Sequence, residues 1–102
     1  MALRIIEKKR FVNKVEKLVE YLLINWYDSV ADDFILQLNH IIELLAEHQR
    51  LGSKVNGLKN TRSILITKHN RLYYRIEKDK LIVINLIDTR RNPKTNPFNK
   101  SK

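Results

Sequence analysis

The stretch Arg71-Leu72-Tyr73-Tyr74-Arg75-Ile76-Glu77 alternates without a break, with Leu72, Tyr74 and Ile76 on one parity and Arg71, Tyr73, Arg75 and Glu77 on the other. A period of two is that of a β-strand, whose successive side chains leave opposite faces. The pattern predicts a strand with one side on a core and the other open. Tight turns frame it, Lys68-His69-Asn70 before and Lys78-Asp79 after. Upstream, Arg62 to Thr67 is rich in Ile and Leu; downstream, Leu81 to Ile87 is apolar on both parities except at Asn85, as in an inner strand covered on both faces. Short turns join antiparallel neighbours, so residues 62–87 read as a three-strand antiparallel meander.

Upstream of the meander the period lengthens. From about Lys9 to Trp26, the residues Phe11, Val15, Leu18, Leu22 and Trp26 recur at intervals of three and four, with Val12, Val19 and Leu23 widening the stripe, which predicts an amphipathic helix. Asp28 and Ser29 interrupt it. Ser29 and Asp32 have the spacing of a capping box for a second helix, which runs to about His48 and buries Phe34, Leu38, Ile41 and Leu45, flanked by Ile35 and Ile42. So short a joint makes the two helices antiparallel neighbours, and their common apolar side needs a further layer. The meander supplies that layer.

Leu3 to Glu7 is short and apolar and is expected as a first strand; Gln49 to Thr61 holds both glycines, Gly52 and Gly57, and is expected as a loop. The expected fold is therefore α+β, in the order β-α-α-β-β-β, with the helical hairpin on one face of the meander. Residues 1–92 are expected as one domain, because a chain of 102 residues supports one core. After Asp88 the sequence loses its period and gains both prolines, so residues 93–102 are expected as a flexible basic tail.

Charge is unevenly divided. Met1 to Ser53 carries 7 Lys/Arg against 8 Asp/Glu, whereas Lys54 to Lys102 carries 13 against 3. An excess of that size exceeds what solubility needs and points to a polyanion or an acidic partner. The absence of Cys excludes disulfides and thiolate metal sites and suits a reducing cytoplasm. No stretch has the length of a membrane span and no signal-peptide core follows Met1, so a soluble cytoplasmic protein is expected.

The candidate binding residues are those of the open sheet face and its rims. Arg71, Tyr73 and Arg75 would interleave guanidinium forks with an aromatic ring, a combination that binds phosphates and stacks on unpaired bases, and Arg62, Arg90 and Arg91 would extend the cluster. An ordinary wet sheet face is the alternative reading. His40, Glu43 and Glu47 share one helix side but read as a solvated stripe rather than a metal site, and no metal or cofactor is expected. His69 stands in a turn beside Lys68, either as a general base or simply as a turn residue. No Gly-rich phosphate loop and no nucleophile pattern supports conventional hydrolase chemistry.

The run Arg62 to Ile76, then Leu81 to Asp88 and Thr89-Arg90-Arg91-Asn92-Pro93, resembles the C-terminal half of RelE/ParE-type toxins of bacterial type II toxin-antitoxin modules, which include plasmid-stabilisation systems. Ala31 to Leu45 and Arg50-Leu51-Gly52 extend the likeness to about residues 3–94, with Gln49 where many members have proline. The resemblance implies a growth-inhibiting toxin held by a small antitoxin with an acidic segment, in an oligomeric complex that represses its own promoter. It also implies one of two targets. ParE-like members poison DNA gyrase, and the terminal segment fits them better; RelE-like members are metal-independent endoribonucleases acting on messenger RNA in the ribosome. Arg62 and Arg71 match the family's strand arginines and Arg90 lies near the position after the last strand. The His or Tyr common in that segment of the nucleases is missing between Asp88 and Pro93, which leaves His69, Lys54 or Lys59 for proton transfer, so whether the chain is an enzyme stays open. The antitoxin segment is expected across the hairpin and the sheet edge. A plain nucleic-acid-binding module without a poisoning role is the remaining alternative.

Overall fold

A computed structural model describes residues 2–90; Arg91 and the expected tail, 93–102, lie outside the described residues. The chain runs through β1 (Arg4–Glu7), α1 (Lys9–Asn25), α2 (Asp28–Glu47), β2 (Ser53–Lys54), β3 (Thr61–Thr67), β4 (Asn70–Glu77) and β5 (Lys80–Asp88). The strands form one sheet in the order β1-β5-β4-β3-β2. Strands β3, β4 and β5 are the antiparallel meander. β1 lies parallel to β5, with Ile5 opposite Leu81. A parallel pair needs a long connection; here the hairpin carries the chain from β1 to β2 at the opposite edge of the sheet, and the meander returns it to β5. The expected α+β order therefore stands, with one addition: the loop after α2 contributes β2, whose Ser53 lies opposite Ser63 of β3.

The alternation of β4 does what its period implies. Leu72 and Tyr74 are fully buried in one cluster with Leu81, Val83 and Leu86 of β5, Phe11 of α1, and Phe34, Leu38, Ile42 and Leu45 of α2. Val15, Leu18 and Leu22 of α1 pack on its edge. Both helices thus cover one face of the sheet, where their stripes leave water together. β5 keeps its apolar character on both parities through a bulge. Tyr73 pairs with Asn85 and Tyr74 with Val83, so Ile84 is the extra residue and the parity of β5 shifts there. No described helix is long and apolar enough to cross a membrane.

Two local expectations are corrected. Trp26 does not continue the buried stripe of α1; the helix ends at Asn25, Trp26 turns into extended geometry, and its side chain is exposed. Ser29 and Asp32 do not form a capping box, because α2 begins one residue before Ser29, with Tyr27 at the cap position and no side-chain cap bond. The two-residue joint is held by backbone bonds instead, Trp26 N–H to Leu22 O at 2.9 Å and Val30 N–H to Tyr27 O at 3.0 Å.

One polar lock ties the loop after α2 to the sheet. The Tyr74 hydroxyl donates to Gln49 O at 2.8 Å and accepts from Gly52 N–H at 3.0 Å. Burial pushes that hydroxyl above its ordinary pKa, with Gly52 N–H and the Arg62 charge opposing. Gly52 is required by the close approach: a Cβ there would sit 2.6 Å from the hydroxyl and 2.7 Å from Ser63 O. Gly52→Ala is therefore expected to cost about 2 kcal/mol, a fall in Tm of roughly 10 °C for a domain of this size. A thermal melt measures it. In a Tyr74→Phe background the same substitution should cost less, because one of its two clashes is gone.

Candidate functional site

The loop that Tyr74 secures encloses a concavity of about 750 Å³ between the end of α2, the β2–β3 loop and the β4–β5 turn. Arg50, Lys54, Arg62 and Lys78 contribute four cations to its lining, and no carboxylate lines it. Two non-glycine residues of its lining take left-handed backbone conformations. Asn60 at φ 57° accepts Ile76 N–H at 3.0 Å, and Lys78 at φ 55° turns β4 into β5. Arg62 stands on the helix-covered parity, opposite Tyr74, and its Nη1 donates to Gly52 O at 2.7 Å and, less closely, to Arg50 O at 3.4 Å. A guanidinium fixed by carbonyls keeps its remaining donors for an anion. Of the loop lysines named from sequence, Lys54 lines the concavity and Lys59 does not. Arg50 and Lys78 were missed. Only the charge excess hinted at them, because their convergence depends on how the loop closes.

Arg71 and Arg75 occupy the opposite sheet face. Arg71 Nη1 donates to Ser63 Oγ at 3.0 Å, and Arg75 Nε pairs with Glu77 Oε2 at 2.8 Å. Tyr73 lies between them in sequence but does not present its ring: it is buried, 7% exposed. The same face carries Ile82 opposite Arg75, Asn85 opposite Tyr73 and Ile87 opposite Arg71, all three buried. The apolar character of β5 on both parities signals that second covered surface, and Tyr73 lies against it. The expected open platform for base stacking is therefore not formed by Tyr73.

Arg90 and His69 meet at a third place, beyond the end of β5. Arg90 clips Asp88 through Nη2 at 2.9 Å, Nε at 3.1 Å and its backbone N–H at 2.8 Å. His69 O accepts Thr89 N–H at 2.9 Å. Five residue steps of β3 separate Arg62 from Thr67, hence roughly 17 Å. The described arginines named from sequence thus fall into three groups, and Arg75 and Arg90 are each paired with a carboxylate of the same molecule. His40, Glu43 and Glu47 stand exposed on α2. Among the described residues no group of three His, Cys, Asp or Glu is arranged to hold a metal.

The Arg90 side chain, with its backbone N–H and charge, holds the Asp88 carboxyl at about 2. A depressed carboxylate stabilises the clip above its ordinary value near 4 and loses that contribution as pH falls toward 2. The Asp88 carbon signal followed by NMR should titrate near pH 2, and in Arg90→Ala it should return to near 4.

Comparison with known proteins places this fold. The model of the ParE toxins of type II toxin-antitoxin systems, parDE, matches residues 5–93. A chain of the chromosomal ParDE system from P. aeruginosa superposes with a TM-score of 0.72 over 85% of this chain and 96% of that one, at 4% identity. The isolated RelE toxin of E. coli gives 0.63 over 89% and 88%, at 19% identity. A copper-bound mutant toxin from Helicobacter pylori gives 0.57 over 84% and 93%, at 25% identity. No curated protein matches significantly. The family match runs from within β1 to beyond the end of β5, across both helices and the whole meander, and the chain belongs to the ParE toxins of type II toxin-antitoxin systems.

Proposed function

We propose that this toxin arrests growth by acting on DNA gyrase in the cytoplasm, and that a cognate antitoxin neutralises it by laying an acidic segment on its basic surfaces in an oligomeric complex. The separation of Arg62, Arg71 and Arg90 carries this reading. Cutting RNA requires a base for the 2′-OH, a cation on the pentavalent phosphate and an acid for the leaving oxygen, all within hydrogen-bond reach of one phosphate. Arg62 lines the concavity, Arg71 is bonded to Ser63 on the other face, and Arg90 is held by Asp88. Poisoning a protein target needs a docking surface and no such convergence. The family match, to toxins of parDE systems, favours the same target.

The RelE-like nuclease is the second reading, and the carboxylate-free concavity favours it, because four cations around one hollow suit a phosphate backbone. In that reading Lys54 and Arg62 touch the message, and Arg71, Arg75 and Arg90 remain peripheral. For the antitoxin, the concavity and the cationic start of α1, where Lys9, Arg10 and Lys17 line a second hollow of about 440 Å³, offer charge complement to an acidic segment.

Induction of the chain in a bacterial host separates the readings. Gyrase poisoning should relax or break DNA while early protein synthesis continues; rapid loss of synthesis with cleaved messages would overturn it. Lys54→Glu with Arg62→Glu should weaken antitoxin binding at least tenfold at low salt, measured by titration of the purified proteins. Under the gyrase reading the pair leaves early translation after induction unaffected, as in the wild type.

A further inference from the structure

Between Leu18 and Gln49 the chain has no lysine or arginine, while Glu20, Asp28, Asp32, Asp33, Glu43 and Glu47 place six carboxylates there. All 20 cations therefore lie in the rest, with the remaining 5 of the 11 carboxylates. The fold gathers four of them, Glu20, Asp28, Asp32 and Asp33, at the free end of the helical hairpin, across the second half of α1, the joint and the start of α2, while Glu43 and Glu47 lie at the other end of α2. The hairpin end is also the most apolar exposed part of the described surface. Within seven residues, Tyr21, Leu23, Ile24, Trp26 and Tyr27 are all exposed, with Ile24 at 79%, Tyr27 at 78% and Trp26 at 58%.

Rings of this size bury on the order of 150–250 Å² each when covered. Together they approach the largest apolar patches that monomers leave in water, which commonly mark interaction sites. Ordinary hairpin joints carry polar turn residues. Here the chain spends two aromatic residues, Trp26 and Tyr27, on a joint that backbone bonds alone hold. Tyr21 lies near enough to Arg90 for their charges to interact, so the hairpin end sits beside the far end of β5. The cationic concavity, through Lys78, sits at the start of β5. The length of that strand, roughly 30 Å, separates the two surfaces.

We infer that the hairpin end is the surface that grips the target, a protein whose complementary site has an apolar centre and a rim of lysine and arginine. The inference rests on the reading that the target is a protein. Charge selects the occupant: carboxylates around the patch repel nucleic acid and repel the acidic segment of an antitoxin, which the concavity at the other end attracts. The toxin then has two poles, an acidic apolar one for its target and a cationic one for its inhibitor. The antitoxin need not cover the hairpin end.

The test uses the full chain with Ile24→Ser and Tyr27→Ser, and separately with Glu20→Lys and Asp33→Lys, each checked for a wild-type thermal melt. Both variants are expected to need at least tenfold more inducer to arrest growth, to bind purified gyrase at least tenfold more weakly, and to keep cognate-antitoxin affinity within threefold of wild type. Folded variants that arrest growth like wild type overturn the inference. So do variants that lose the antitoxin while arresting growth normally, since the surface is then the antitoxin's. Variants that lose growth arrest while even the wild-type chain fails to bind gyrase leave the inference standing and sink the gyrase reading. A wild-type chain that permits growth overturns both.

Discussion

The rest of the molecule depends on Tyr74. Its ring is fully buried at the centre of the sheet, packed with Leu72, Leu81 and Val83 under the two helices. Its hydroxyl emerges at the edge of that core and holds both Gln49 O and Gly52 N–H. A buried phenol needs partners for its oxygen, and here the partners are backbone groups of the connection between α2 and β2. Satisfying one polar atom therefore positions a whole segment. Once Gly52 is pinned, its carbonyl is in place to receive Arg62, β2 pairs with β3, and the cations of the loop turn toward one hollow. The core and the candidate site are thus joined by a single side chain that belongs to both.

The second constraint is the partition of charge along the chain. Cations concentrate at the start of α1 and in the loops around the meander, whereas the hairpin beyond Leu18 carries only carboxylates. Because α1 starts beside Val83 and runs toward the far end of β5, its cationic start and the acidic hairpin end lie apart, and the sequence partition becomes a spatial dipole. Such a molecule meets partners of opposite charge on different surfaces. The arginines of the meander contribute less to this field than their number suggests, since Arg75 and Arg90 are paired with Glu77 and Asp88.

Much of the architecture was legible beforehand, for physical reasons. The period of two in β4, the double apolar parity of β5 and the intervals of three and four in the helices each report directly which side of an element leaves water. They located both helices, the meander and the first strand to within a residue or two. The same signals are silent on what happens at an edge. Trp26 matched the helical spacing and still stands in solvent, because the helix ended one residue earlier. Tyr73 matched the open parity of β4 and is still buried, as are Ile82, Asn85 and Ile87 of β5 on the same face.

What the sequence determined by itself was therefore the set of elements, their order, and the family resemblance carried by the run from Arg62 to Pro93, since these depend on local period and spacing. What only the tertiary structure decided was which cations share a hollow. Arg62 and Arg71 look equivalent as strand arginines, but Arg62 pairs with Tyr74 and Arg71 with Leu65, an odd three-residue step in register that puts them on opposite faces. Arg50 and Lys78, 28 positions apart in the chain, come together only when the Tyr74 hydroxyl closes the loop. Convergence of charge is a property of folded distance, and no reading of spacing along the chain contains it.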